Sequence, residues 1–368
     1  MSQSTSAPAG LPRGRFFLPG PTEVHPDVLQ AQTRPMISHR GAGINALMKE
    51  LQEGLEVAFC TKRPVFIGTN SATGFMEAGV RNAGRTRILS LVNGAFSKRF
   101  ADIALSCGFE VDVIEVPWGE AHDPDQVADK LGKGSYDAVT MAHSETSTSV
   151  LNDVRALAAA AAPFEDTLVL VDSVSGFGGA ELRPDAWGLD WLLTGSQKSF
   201  ALPPGLAFGV ASEKMMERAA VAPQRGYYFD LMQYAAGHEK AQSPSTPALS
   251  VMFSLQVQLK RMQAETMEKR WARHTAMAER TWAWVEANEA AGLSLLAPEG
   301  YRSPCVTAIT VADGESGPKI VKGMAEKGWV IGGGYGKLKP SSFRIGHMGD
   351  HTLDELNELL DVLTEVVS

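Results

Sequence analysis

The sequence predicts an α/β protein, with a large, mostly parallel sheet covered by helices and a smaller α+β unit at the C-terminal end. Three observations carry that prediction. Between Arg63 and Ser212, short apolar runs alternate with helix-length stretches, as in a parallel sheet whose crossovers are helices. Several of those runs lack polar alternation, which suits strands buried on both faces. Beyond about residue 250 the pattern changes to a long helical stretch, then strands and helices in a smaller set.

Taken in order, residues 1–15, "MSQSTSAPAGLPRGR", are small, polar and proline-containing. They lack the apolar segment of a secretory signal and read as a flexible tail. Candidate strands are 64–69, 87–92, 110–116, 136–142, 167–172, 190–195 and 206–211, and candidate helices are 71–83, 94–108, 123–134 and 151–164. The link between the last two strands is too short for a helical crossover. They read as neighbours through a hairpin-like turn or a longer excursion, with one edge of the sheet antiparallel. Residues 251–290 repeat apolar positions every three to four residues and read as one long helical stretch that could bridge two domains. Strand 303–312, helix 317–328, strands 329–334 and 341–348 and a last helix from Thr352 follow. Thr352 and Glu355 have the spacing of a capping box. The domain reading is a tail over 1–15, a large domain over 16–255 and a small one over 256–368.

Composition removes several function classes. With 368 residues, 21% charged and a net charge of −8, nothing favours nucleic acid or an anionic membrane surface. No apolar run approaches the ~18 residues of a membrane span. Cys60, Cys107 and Cys305 are far apart and form no CxxC, which points to free thiols and a cytoplasmic setting. There is no HExxH for a metal and no GxSxG elbow for a hydrolase. The glycines of "IGGGYGKLKP" (331–340) are not followed by a helix with a Lys-Ser/Thr pair, so this is no P-loop.

Three places carry chemistry. Lys198, in "LLTGSQKSFALPPGLAF", lies between two apolar runs. A buried ammonium is costly, so such a lysine is a candidate for a lowered pKa and Schiff-base formation. Asp172 ends the apolar run "TLVLVD", where open α/β sheets bind ligands; taken alone it could equally be a turn or cap residue. Ser71 and Thr73 open a helix, as a phosphate cradle or as simple caps. One cofactor, pyridoxal 5′-phosphate, uses all three: an amine for its aldehyde, an acid for its ring nitrogen and a cradle for its phosphate.

The segments "FFLPGPTEVHPDVL", "GTNSATGFMEA", "VNGAFSKRF", "HSETSTSV", "LVLVDSVSGFGG", "TGSQKSFALPPGLAF" and "FRIGHMGD" resemble, in this order, the class V aminotransferases. The similarity is to their serine–pyruvate, alanine–glyoxylate and serine–glyoxylate branch, from about Phe16 to the C-terminus. The resemblance implies the fold type I (aspartate-aminotransferase-like) architecture and a homodimer with its active site at the interface. It implies a ping-pong transfer from alanine or serine to glyoxylate or pyruvate. Lys198 would be the Schiff-base lysine and proton shuttle, and Asp172 the partner of the pyridine nitrogen. Ser71, Ala72, Thr73 and Gln197 would hold the phosphate, while Thr146 and Val174 would also touch the cofactor. Phe96 stands where the family often has a ring-stacking tryptophan, keeping an apolar face but losing area and an N–H. Thr246 would reach the phosphate of the other subunit. Arg344 would clamp the substrate carboxylate with its planar fork, and Gly20 would lie against the substrate. The 331–340 loop is expected near the site. His143 reads as a packing residue at the sheet edge, and His39 and Arg40 as structural or dimer-interface residues. The alternatives are a 2-aminoethylphosphonate–pyruvate transaminase, a cysteine-desulfurase-like enzyme on the same cofactor, and a non-catalytic nucleotide-binding protein on an α/β sheet.

Overall fold

The computed structural model describes residues 13–368. Residues 1–12 of the expected tail lie outside the described residues. Within the last residues of the expected tail, Gly14 N donates to both Glu23 carboxylate oxygens at 3.0 and 2.9 Å, and a strand opens at Phe16.

The large sheet has seven strands, in the order Val65–Gly68, Ala207–Ala211, Trp191–Gly195, Leu168–Asp172, Ala138–Ala142, Arg87–Val92 and Glu110–Glu115. From Trp191–Gly195 to Glu110–Glu115 all neighbours are parallel. Ala207–Ala211 runs antiparallel to both of its neighbours. The expected antiparallel edge therefore sits one place further in, because Val65–Gly68 closes the sheet outside it. The physical reason is the short connection noted in the sequence. Residues 196–206 double back as a turn, and that turn carries Lys198. The inner strands are buried apart from Arg87, whereas Glu110–Glu115, on the edge, exposes Glu110, Val113 and Glu115.

Helices Ala72–Ala83 and Ala95–Ser106 pack on this sheet. One close contact is at Trp191, whose indole N–H donates to the Phe75 carbonyl at 3.0 Å. A Cβ at Gly79 or at Gly209 would overlap that ring, so glycine at both positions lets the helix and the neighbouring strand close on it. The sequence reading assigned no element to Ala42–Ala58, yet this helix packs its apolar face on Leu249–Glu265.

The stretch expected as one long helix is two, Leu249–Glu265 and Met267–Ala287. The chain breaks at Thr266, which takes φ 69° and caps the second helix through its side chain. Helical periodicity does not register such a break, because the apolar spacing continues on both sides of it. The break places buried Arg270 between Glu265, Asp350 and the Ser199 carbonyl. The sequence-based boundary at 255/256 falls inside the first of the two helices.

The second sheet has five strands, in the order Phe16–Phe17, Val330–Gly333, Ser342–Ile345, Thr307–Val311 and Leu293–Leu295. Its first strand comes from the N-terminus and is the only parallel pairing, so residues 16–17 cross over from the large unit. The closing helix Leu353–Val367 starts with the capping box read from the sequence: Thr352 Oγ1 accepts from Glu355 N at 3.2 Å, and Glu355 accepts from Thr352 N at 2.9 Å. Among the described residues no helix is long and apolar enough to cross a membrane, and no cluster of His, Cys, Asp or Glu could hold a metal ion.

Candidate active site

A cavity of about 220 Å³ opens at the C-terminal ends of Leu168–Asp172 and Trp191–Gly195, the edge where parallel sheets bind ligands. Lys198 enters it from the turn after Trp191–Gly195 and is buried. Its Nζ donates to the Pro19 carbonyl. The backbone beneath it is pinned, because Lys198 O accepts from Thr22 Oγ1 at 3.0 Å and Ser199 O accepts from Arg270 Nη2 at 2.7 Å. Burial, then the charge of Arg344, lowers the Lys198 pKa to about 8. Gly20, at φ +91°, lies against this side chain, and a Cβ there would overlap the lysine.

Asp172 ends its strand inside the cavity and accepts one backbone hydrogen bond, from Val174 N at 2.8 Å. Burial raises its pKa to about 7. It is no cap or surface-turn residue: it is a desolvated acid with lone pairs to spare, in the same cavity as a desolvated amine. Ser71 precedes Ala72–Ala83 but makes no side-chain cap bond. Its hydroxyl and the first-turn N–H groups of Ala72 and Thr73 are left for an anion. Gln197 borders the same corner.

Phe96 lies on the first turn of Ala95–Ser106, its ring centroid 5.9 Å from Lys198 Nζ. Its placement depends on Glu145, a residue the sequence reading passed over within "HSETSTSV". This fully buried carboxylate accepts from Phe96 N at 3.1 Å and from Ser97 N at 2.8 Å, and also from the Ser97 and Ser147 hydroxyls. An acid at a helix N-terminus is favoured by the helix dipole and by the free N–H groups. The available clue was an acid set in a run of small hydroxylated residues. Thr146 lines the cavity, hydrogen-bonded to Ser175. Arg99 also lines it, with its guanidinium 4.8 Å from the Phe96 centroid. The sequence reading gave no role to Arg99 or Ser175, although both lie inside quoted segments, "VNGAFSKRF" and "LVLVDSVSGFGG", since nothing local sets them apart from their neighbours.

Arg344 is held beside the cavity rather than in its wall. Its Nε donates to Gly333 O at 2.9 Å and its Nη1 to Thr146 O at 3.0 Å. Thr246 is exposed and lies outside the cavity of its own chain, as do His39 and Arg40. His143 is buried behind the site, bonded through Nδ1 to Ser173 Oγ at 2.9 Å. Burial lowers its pKa to about 4, so it is a neutral packing residue. Cys305 is fully buried, and burial pushes its thiol up to about 12. Among the described residues no cysteine lines the cavity, which speaks against the thiol a desulfurase would need there.

A type I α/β core with a buried lysine facing a buried aspartate at the sheet's ligand edge defines a pyridoxal-phosphate-dependent transferase. The chain belongs to the class V aminotransferases: the family model "Aminotransferase class-V" matches residues 28–346, and membership implies that cofactor. It is 36% identical to an L-aspartate–glyoxylate aminotransferase of Paracoccus denitrificans, covering 92% of this chain and 87% of that one. It is 32% identical to a serine–glyoxylate aminotransferase of Arabidopsis thaliana, covering 93% and 87%. The crystal structure of an alanine–glyoxylate aminotransferase from Nostoc sp. superposes with a TM-score of 0.91 at 28% identity, covering 99% of this chain and 98% of that one. The protein is thus an enzyme, which sets aside the non-catalytic reading.

Proposed function

We propose that this aminotransferase moves an amino group from alanine or serine to glyoxylate or pyruvate in two alternating half-reactions, as a cytoplasmic homodimer. The observation that carries the reading is Lys198 and Asp172, both buried, in one cavity with Arg344 at its edge. The residues fit pyridoxal phosphate: a buried acid short of partners, an amine with only a carbonyl to bond, uncapped helix N–H groups, and a Gly20 cradle that a Cβ would fill. When bound, the cofactor supplies an aldehyde that takes up the amino group and an electron-withdrawing ring.

The remaining work falls to this chain. Asp172 presents a carboxylate to the ring nitrogen, and Phe96 a flat apolar wall. Ser71, Ala72, Thr73 and Gln197 receive the phosphate, with Thr146 and Val174 completing the cofactor's surroundings. Lys198 Nζ would take the proton from the substrate Cα and hold it for delivery to the carbon that was the cofactor's aldehyde, so that the proton changes carbon. Arg344 fixes the substrate carboxylate, so that the Cα–H bond points at Nζ. The dimer reading draws on Thr246, exposed on its own chain as a residue serving a second chain must be. The cytoplasmic reading draws on the three free thiols. The chain divides at Thr266 into a large unit and a small one, with residues 16–17 crossing between them.

The test is a donor panel followed by the cofactor's absorbance change in single turnover. Alanine or serine should convert the enzyme, and glyoxylate or pyruvate should reverse the change. A preference for 2-aminoethylphosphonate would overturn the substrate reading; Arg99 is the cavity's second cation and earns that donor its place in the panel. Replacing Arg344 with glutamine should lower kcat/KM by roughly 10²-fold, mostly through KM, as expected for losing one partner of a buried charge pair. An unchanged KM would remove Arg344 from carboxylate binding.

A further inference from the structure

We infer that Tyr335 is a positioning residue that holds Arg344 flat for the substrate carboxylate. This rests on the reading of Arg344 as the carboxylate clamp. The Arg344 guanidinium is fixed at two points of its edge, Nε on Gly333 O and Nη1 on Thr146 O. The Nη1–Nη2 end of the fork keeps free N–H groups, and that end is what a carboxylate grips in parallel. Two edge contacts leave the plane free to tilt. The third constraint is a face: Arg344 Cζ lies 5.4 Å from the centroid of the Tyr335 ring, within the range of cation–π attraction.

The same ring reaches across to the cofactor side. Its centroid is 5.3 Å from that of Phe96, tilted by 43°. Tyr335 thus packs against the same ring that walls the cofactor side of the cavity. Tyr335 comes from the loop joining Val330–Gly333 to Ser342–Ile345 in the small sheet. The loop is tied to the large unit a second time: Lys337 Nζ lies 4.8 Å from the Trp118 ring centroid. Gly336 takes φ 51°, and a Cβ there would crowd that indole. Among the described residues the Tyr335 hydroxyl makes no hydrogen bond, so the contacts are those of the ring. Tyr335 thereby links the ring-stacking wall to the carboxylate clamp.

The experiment compares Tyr335→Ala, Tyr335→Leu, Tyr335→Phe and Arg344→Gln as cofactor-loaded enzymes. Two readouts are KM and kcat for alanine and glyoxylate, and the calorimetric affinity for pyruvate without an amino donor. Tyr335→Ala should weaken pyruvate binding and raise both KM values by about tenfold, with kcat within about threefold of the parent and the cofactor spectrum unchanged. Tyr335→Leu, which fills space without a π face, should match alanine, and Tyr335→Phe should restore the parent values. If Arg344→Gln raises KM and Tyr335→Ala does not, Tyr335 has no such role. Restored binding in Tyr335→Leu would equally overturn the inference, because volume alone then suffices. If Arg344→Gln also leaves KM and pyruvate affinity unchanged, the clamp reading itself has failed, and this inference with it.

Discussion

Lys198→Ala is expected to lower transamination by roughly 10⁴-fold or more, the upper range for losing a positioned acid–base group, and to abolish the cofactor band between the near ultraviolet and the blue. The fold should survive. In the cofactor-free parent, burial lowers the pKa of the free lysine amine from an ordinary value near 10.5 to about 8, and the comparison of stabilities is made between cofactor-free proteins. The unfolded chain therefore binds more protons than the native one between those values, and native stability rises with pH across that window. Below pH 8 the buried amine costs the native state stability, so truncating it removes that cost along with some packing. A melting temperature close to the parent's at pH 7, together with vanished activity, is the expected pair of results. Retained turnover would show that Nζ does not carry the proton.

Asp172→Asn separates stability from function more sharply. The Asp172 pKa is raised from about 4 to about 7, chiefly by burial. The native state then binds more protons than the unfolded chain between those values. Stability of the cofactor-free protein falls as pH rises through that window, by an amount on the order of 4 kcal/mol in total. Asparagine cannot ionise. The cofactor-free variant should match the parent near pH 4 and exceed it at pH 8, read as the difference between the two melting curves. Its activity should fall by roughly 10²–10³-fold, the scale for removing one preorganised electrostatic group. Parallel melting profiles from pH 4 to pH 8 would mean that the carboxylate is not desolvated, and the role assigned to it would fall.

Both results depend on a cavity that no stretch of sequence contains. Legible beforehand were the residues whose local pattern is itself the constraint. Lys198 between two apolar runs, Asp172 at the end of another and Ser71–Thr73 before a helix all line the cavity. Less legible was Glu145, whose partners, Phe96 and Ser97, are far away in the chain and met only on folding. Arg99 and Tyr335 lay inside segments already quoted, "VNGAFSKRF" and "IGGGYGKLKP", yet neither could be singled out, because each matters through the ring or guanidinium it meets across the cleft.

Local chemistry alone determined the strands of the large sheet, the capping box at Thr352 and the apolar settings of Lys198 and Asp172, since apolar period and capping act between residues close along the chain. Tertiary packing decided the rest. It set the inward shift of the antiparallel strand, broke the long helix at Thr266 and brought the N-terminal strand into the second sheet. It also fixed the protonation of Lys198 and Asp172. A pKa follows from how much water and charge surround a group, and those surroundings come from segments distant in sequence.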